Sequence, residues 1–283
     1  IDSAMKLGYN WKQGPFELID AVGVDWFIAQ LESKKLAVPK MLHLAEGRQF
    51  YQTKNGTLQY LSIDGSYQDL QRPQGVLLLE DIKRRSERLF GNSQASVWDI
   101  GEGVACLEFH SKMNSLNPLV FLVLSKALKQ LPAGHFKGLV LYNEGSNFSV
   151  GANIGMLLLA AKLRLGFVMH WILRQGQFGL RDMKYASFPV VAAPSGMALG
   201  GGCEFILHCA AVEAHAETYM GLVEAGVGIV PGWGGCKELL LRGKASPALK
   251  KGPMPALVHA FETIAMAKVS GSAREAKDLL FLR

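Results

Sequence analysis

The sequence predicts an α/β protein, and three observations predict it. From about Ala95 onward, apolar runs of strand length alternate with longer runs of helical period. Glycine-bearing turns follow two of the strand-like runs, as they do where a sheet hands over to a helix. The 283 residues are 49% hydrophobic and 19% charged, which supports a sizeable core and excludes a disordered chain.

The first segment reads as helical. Pro15 follows Gly14 where a proline opens a helix, and Phe16, Ile19, Val22 and Val24 recur at roughly helical spacing. Trp26, Phe27, Ile28 and Leu31 begin a second periodic run. The character then changes: Phe50-Tyr51-Gln52 and Leu58-Gln59-Tyr60-Leu61 flank Asn55-Gly56, and Asp64-Gly65 follows. Such pairs between apolar runs signal hairpins. Pro73 closes this unit, and a domain boundary is expected between about 85 and 95, where the chain is polar and turn-rich. The expected division is residues 1–48 (helical), 49–92 (a connector with hairpins) and 93–283 (the α/β domain).

Within the last part, Val97–Ile100 and Val104–Phe109 around Gly101-Glu102-Gly103 read as a hairpin, and Leu119–Leu128 as a helix. Gly138–Tyr142 and Pro189–Ala193 read as buried strands, the second followed by a helix whose body is Phe205–Ala211. No internal repeat or low-complexity tract is visible.

Composition narrows the function classes. The net charge of +6 is a mild bias that favours a phosphate-bearing ligand, and no Lys/Arg block is long enough for a nucleic-acid partner. Lys83-Arg84-Arg85 and Lys250-Lys251 read as solvated faces. Cys106, Cys203, Cys209 and Cys236 have neither metal nor disulfide spacing, so they are expected as small buried hydrophobes in a reducing compartment. No apolar run is long enough to span a bilayer, and no secretory signal is visible. No membrane partner is expected, and the expected location is cytoplasmic. The chain begins at Ile1 without a methionine and is read as a fragment of something longer.

Two loops stand out. Asn147-Phe148-Ser149-Val150-Gly151-Ala152-Asn153-Ile154 and Gly196-Met197-Ala198-Leu199-Gly200-Gly201-Gly202-Cys203-Glu204 each follow a predicted strand. Side by side, such loops can aim two N–H groups at one oxygen, as an oxyanion hole requires; the structural alternative is tight helix–sheet packing. Neither has the spacing of a common nucleotide cradle. Glu204 falls in the first turn of a predicted helix, and Glu224 sits among Leu222, Val223 and Ala225. Partial burial there raises a carboxyl pKa and suits it to proton transfer. The alternative is a capping glutamate and a rim carboxylate. The seven histidines are scattered, His208 and His215 without an acidic partner at suitable spacing, and Ser149 and Ser195 are not in a Gly-x-Ser-x-Gly elbow, which rejects a serine hydrolase. Phe167, Trp171 and Leu173, in the long connection between the loops, are candidates to shape an apolar pocket, with core packing as the alternative.

Phe148 to Ile154, Ala198 to Glu204, and Glu224 through Pro231-Gly232-Trp233-Gly234-Gly235 resemble, in order and spacing, the crotonase or enoyl-CoA hydratase superfamily. The likeness covers roughly residues 95–283 and implies stacked ββα units. Gly14-Pro15-Phe16-Glu17-Leu18-Ile19-Asp20-Ala21-Val22-Gly23 resembles the end of the C-terminal helical domain of 3-hydroxyacyl-CoA dehydrogenases. The order resembles a bacterial fused fatty-acid oxidation enzyme, which places any NAD-binding domain upstream of Ile1. The implied substrate is an acyl-CoA thioester. No cofactor is expected beyond the coenzyme A of that substrate, nor NAD, nor a metal.

The resemblance implies that Ala152 and Gly201 supply the oxyanion N–H groups. Glu204 would help deprotonate a water attacking C3, and Glu224 would deliver a proton to C2. Ser115, Gly151, Asn153, Ile154 and Gly200 would contact CoA or substrate, with Met113–Asn117 near the adenosine. Asn153 stands where the family often has aspartate and Val150 where it has a small residue, departures expected to touch CoA contacts rather than chemistry. Lys244–Gly252 is basic and proline-bearing, and the family's final covering helices are expected to be absent. Trimers are frequent in the family, so a trimer-like homo-oligomer is also carried as an expectation. The expected activity is hydration of trans-2-enoyl-CoA in fatty-acid β-oxidation, because water addition needs both an acid and a base. The alternatives are a Δ3-Δ2-enoyl-CoA isomerase, which mainly needs the later carboxylate, and a non-catalytic acyl-CoA-binding or assembly module.

Overall fold

The computed structural model describes residues 1–9 and 11–283 and divides into two compact units, Ile1–Ser86 and Glu87–Arg283. The first unit carries helices α1 (Asp2–Tyr9), α2 (Pro15–Val22), α3 (Val24–Ser33) and α4 (Lys40–Leu44), an antiparallel sheet β1 (Tyr51–Lys54), β2 (Thr57–Leu61) and β3 (Tyr67–Asp69), and helix α5 (Leu79–Arg85). Pro15 opens α2 as expected, and the carboxylate of Asp2 caps it by accepting from the N–H groups of Phe16 and Glu17 at 3.1 and 3.0 Å. Asn55 and Gly56 turn the first hairpin at positive φ, 52° and 75°, the conformation that a two-residue turn of this hand requires. Asp20 on α2 accepts from the N–H groups of Phe50 and Tyr51 at 2.7 and 2.8 Å. Helices and hairpin thus share one core of Val24, Ile28, Leu42, Ala45, Phe50 and Leu61. Helix α5 was not anticipated, because its seven residues are mostly charged. Arg84 within it bonds Asp81 and Glu80, so the Lys83-Arg84-Arg85 run is partly engaged rather than freely solvated.

The second unit carries two sheets. Strands β4 (Phe90–Gly91), β5 (Ala95–Gly101) and β6 (Val104–Phe109) run antiparallel, with the expected turn at Gly101-Glu102-Gly103, all three at positive φ. After helix α6 (Pro118–Gln130), capped by the Asn117 side chain, the chain winds in ββα units. Strand β7 (Gly138–Leu141) enters the large sheet and β8 (Asn147–Ser149) the small one, followed by α7 (Ile154–Lys162) and α8 (Gly166–Lys184). Strands β9 (Val190–Ala192) and β10 (Gly196–Leu199) repeat the pattern and lead into α9 (Gly201–Leu207). Strands β11 (Ala211–Val212) and β12 (Thr218–Gly221) repeat it again and lead through a 3₁₀ turn, Glu224–Val227, to α10 (Gly235–Ala245). Helices α11 (Pro253–Ala265) and α12 (Ala273–Asp278) follow. Each unit gives its first strand to a six-stranded sheet, β11-β9-β7-β6-β5-β4, and its second to a three-stranded parallel sheet, β12-β10-β8. This is the expected α/β stack of ββα units.

The long connection between the glycine loops holds two helices that the sequence reading left unassigned. The helix expected over Phe205–Ala211 instead starts at Gly201 and ends at Leu207, and Ala211–Val212 is a strand. The glycines begin the helix rather than precede it, because only Gly200 needs a non-helical backbone, with φ 54° and ψ −125°. Cys106 and Cys203 are buried as expected, but Cys209 is half-buried and Cys236 exposed. Cys236 stands on the solvent side of the first turn of α10, so its spacing alone did not place it. No helix of the described residues is long and apolar enough to cross a membrane.

Candidate active site

The small sheet positions the site. Its central strand β10 runs into Gly200 and Gly201, β8 on one side runs into Gly151 and Ala152, and β12 on the other runs into Val223 and Glu224. Parallel strands lie about 4.8 Å apart, so three successive C-terminal ends deliver three loops side by side. That edge of a parallel sheet is where α/β proteins place ligands.

Each loop is fastened from below. Buried Asn143 accepts from the Phe109 N–H at 2.6 Å and donates to the Phe148 carbonyl at 2.7 Å, tying β6 to β8. The Ser149 hydroxyl donates to the Asn114 carbonyl and accepts from the Gly151 N–H. The Gly151 carbonyl accepts from Leu116 N–H, and the Leu116 carbonyl from Asn153 N–H. Between these bonds the N–H of Ala152 is left without a protein acceptor among the described residues, and so is the N–H of Gly201. The loops meet closely: a Cβ added to Gly201 would lie 3.3 Å from the Ala152 nitrogen, and one added to Gly151 would lie 2.8 Å from the Gly201 nitrogen.

The two carboxyls face the same space. Glu204, 2% exposed, accepts through Oε1 from the N–H groups of Trp233 and Gly235, both at 2.8 Å. Glu224, 9% exposed, directs Oε1 toward Gly200, and its buried Oε2 has no protein partner among the described residues. Burial pushes Glu204 up to about 8, helped by the neighbouring Glu224 charge and opposed by the two peptide donors. Burial likewise pushes Glu224 up to about 7. The Glu224 charge raises Glu204, so the two ionisations are linked.

This pair makes the free protein's stability depend on pH. Both folded-state values lie above the ordinary 4.5, so the folded chain holds these protons more tightly than the unfolded one. The stabilisation is fully present below about pH 4.5 and is lost as pH rises through 7 to 8. We expect urea denaturation to show the parent losing on the order of a few kcal/mol between pH 5 and 8 from this pair. Glu204→Gln should flatten that slope and exceed the parent in stability at pH 8. Parallel slopes in parent and variant would remove the pair as the cause.

The cleft, about 100 Å³, is lined by Ala152, Ile154, Gly200, Gly201, Glu204 and Glu224, with an apolar wall that includes Leu157, Ile172, Leu173, Val227 and Val230. Gly151 and Asn153 stand beside lining residues without lining it themselves, and Ser115 does not line it; the Asn153 side chain caps α7 by accepting from Met156 N–H. Of the aromatic candidates, neither Phe167 nor Trp171 lines the cleft, being 74% and 50% exposed on α8, whereas Leu173 does. The helical period turns their side chains away from the face that Ile172 and Leu173 present. His208 does have an acidic partner: its Nε2 lies 3.5 Å from Glu238, thirty residues on, both side chains 2% exposed. Packing of α10 on α9 makes that pair, which linear spacing could not reveal. Trp233, inside a motif already noted, was given no role, yet it lines the cleft. Among the described residues no cluster of three or more His, Cys, Asp or Glu could hold a metal ion.

A family model for enoyl-CoA hydratase/isomerase matches residues 99–243, 145 of the 283 residues. The chain belongs to that family. All four groups that converge on the cleft lie inside the matched span. A Bacillus subtilis (strain 168) relative named "Probable 3-hydroxyacyl-CoA dehydrogenase" is 41% identical over all of this chain, which covers 36% of that protein. The chain spans about a third of the length of the curated relatives it matches first. A crystal structure of an enoyl-CoA hydratase from Bacillus anthracis is 26% identical with a TM-score of 0.55, covering 67% of this chain and 68% of that one. One from Polaromonas sp. JS666 shares the fold at 21% identity and a TM-score of 0.57, covering 66% and 68%.

Proposed function

We propose that this chain hydrates trans-2-enoyl-CoA thioesters to 3-hydroxyacyl-CoA. The observation that carries the reading is the pairing, across one cleft, of two unengaged peptide donors with two buried carboxyls. The N–H groups of Ala152 and Gly201 would receive the thioester oxygen. Gly201 opens α9, whose positive end favours that oxygen as it gains charge, and such donors act most strongly on charge that develops in the transition state.

Water addition across a conjugated double bond needs a base at C3 and an acid at C2, and two carboxyls raised toward neutrality, one ionised and one protonated, supply both. Taken singly, the two pKa values would leave the proton on Glu204. Those values already include the two peptide donors of the free chain; a bound substrate would bring the attacking water to Glu204 while the donors stay on its Oε1, an oxygen that accepts more strongly when ionised. Glu224 Oε2 meets no donor. We therefore place the charge on Glu204, which takes a proton from the attacking water, and the proton on Glu224, which delivers it to C2. The apolar wall would hold the acyl chain.

The relatives' names support fatty-acid oxidation as the setting. Crotonyl-CoA tests the reading: the conjugated thioester's ultraviolet absorbance should fall with turnover as purified chain is added. A 3-enoyl-CoA should not be converted to the conjugated isomer at a comparable rate. Isomerisation without hydration would replace this reading by an isomerase, and binding without turnover by an acyl-CoA-binding module.

A further inference from the structure

Trp233 touches Glu204, Gly201 and the α8 wall at once. Its N–H donates to Glu204 Oε1 at 2.8 Å. Its indole, 4% exposed, packs against Gly201: a Cβ there would meet Cζ3 and Cε3 at 2.5 and 2.8 Å. The opposite edge of the ring presses on Gly176 in α8, where an added Cβ would overlap Nε1, Cε2 and Cδ1. Phe121 closes the third side edge-on, with centroids 5.2 Å apart at 82°. Gln177, next to Gly176, donates to the Gly232 carbonyl at 2.9 Å, and the Leu173 side chain lies against Gly232.

These contacts have a shared logic. A buried indole is rigid and incompressible on the scale of a methyl group. Two glycines, one on the oxyanion loop and one on the helix that walls the cleft, are the only residue type that leaves room for it. The position a Cβ on Gly201 would take lies 2.5 Å from the ring and 3.3 Å from the Ala152 nitrogen, so the ring fixes how the Gly201 peptide stands against the Ala152 peptide. We propose that Trp233 is a positioning residue: its indole wedge sets the Gly201 N–H at the distance from the Ala152 N–H that polarises a bound thioester carbonyl. The inference rests on the assignment of those two N–H groups made above, but not on the hydration step.

A readout that does not depend on turnover separates the two. A dimethylaminocinnamoyl thioester of coenzyme A carries an electron-donating ring conjugated to its carbonyl, so hydrogen bonds to that oxygen move its absorption to longer wavelength. The parent should show a red shift on binding. Trp233→Leu, which keeps the backbone N–H on Glu204, should bind the probe within a few-fold of the parent but lose most of the shift. In Gly201→Ala the new methyl meets the indole and should also abolish the shift. Gly201→Ala combined with Trp233→Leu makes room for the methyl and should recover part of it. Crotonyl-CoA turnover should follow, with kcat falling at least tenfold in Trp233→Leu and KM changing little, and with the pH profile keeping the parent's position. Circular dichroism and thermal melts identify a variant that fails to fold, and Trp233→Phe is then read in its place.

A red shift retained in full by Trp233→Leu, or by folded Trp233→Phe, would overturn the proposal. No shift in the parent would overturn the oxyanion assignment and this inference with it. A normal shift in the parent without hydration, lost in Trp233→Leu, would leave the inference standing while removing the hydratase reading.

Discussion

Glu224→Gln should lower kcat for crotonyl-CoA hydration by about a thousandfold while leaving KM within a few-fold. The amide keeps the shape and neutrality of a protonated carboxyl, so ground-state binding survives, but it cannot deliver a proton to C2. General acid or base catalysis by a placed side chain contributes about 10²–10⁴-fold, and Glu224 sits among Val223, Val227 and Ile229, where water substitutes poorly. Glu204→Gln should cost a similar factor. The double variant should cost much less than the product of the two, because the carboxyls act as one unit on one water. Steady-state kinetics of the three variants, with melts to check folding, reads the result. Additive losses would mean that the carboxyls work on separate steps. An unimpaired Glu224→Gln would remove proton delivery from Glu224.

Gly151→Ala should lose two orders of magnitude or more in kcat without losing the fold. Gly151 holds φ at 92°, a region that a side chain resists, and its Cβ would lie 2.8 Å from both the Gly201 nitrogen and the Leu199 carbonyl oxygen. The methyl either pushes the two loops apart or blocks one donor. Loss of one oxyanion donor costs about 3–4 kcal/mol elsewhere, and the backbone strain adds on the order of 1–3 kcal/mol to the stability cost. The expected pattern is a reduced kcat, a melting temperature several degrees lower, and retained binding of a saturated acyl-CoA. A parent-like kcat would show that the approach of these two loops does not govern the chemistry.

The sequence displayed some of this and hid the rest for definite reasons. Glycine loops after strands, and carboxyls in apolar surroundings, are local features, so the two loops, Glu204 and Glu224 could be picked out before any fold was known, whereas Ala152 and Gly201 were singled out within those loops only by what the family resemblance implies. The hairpins were legible because Asn55-Gly56 and Gly101-Glu102-Gly103 dictate backbone conformations. Helices α7 and α8 were not assigned, since α7 is apolar on most sides and α8 opens without a capping side chain. The His208–Glu238 pair and the seat of Trp233 depend on contacts between elements distant in the chain. In the linear sequence, Gly176 looks like a weak point in a helix; in the fold it is the socket for an indole.

The alternation of strands between the two sheets has a further implication for how such a protein can change. Both peptide donors belong to the main chain at the ends of neighbouring strands, and what holds them there is the small sheet together with the buried Trp233 indole. The cleft wall, in contrast, comes from Leu157, Ile172, Leu173, Ile229 and Val230, on helices and a turn outside that small sheet. Residues there can be exchanged for larger or smaller ones to favour a different acyl group without disturbing the spacing of the donors. On the proposed function, the polarising donors belong to the backbone and the two carboxyls to fixed side chains, while the choice of acyl group falls to side chains outside that sheet.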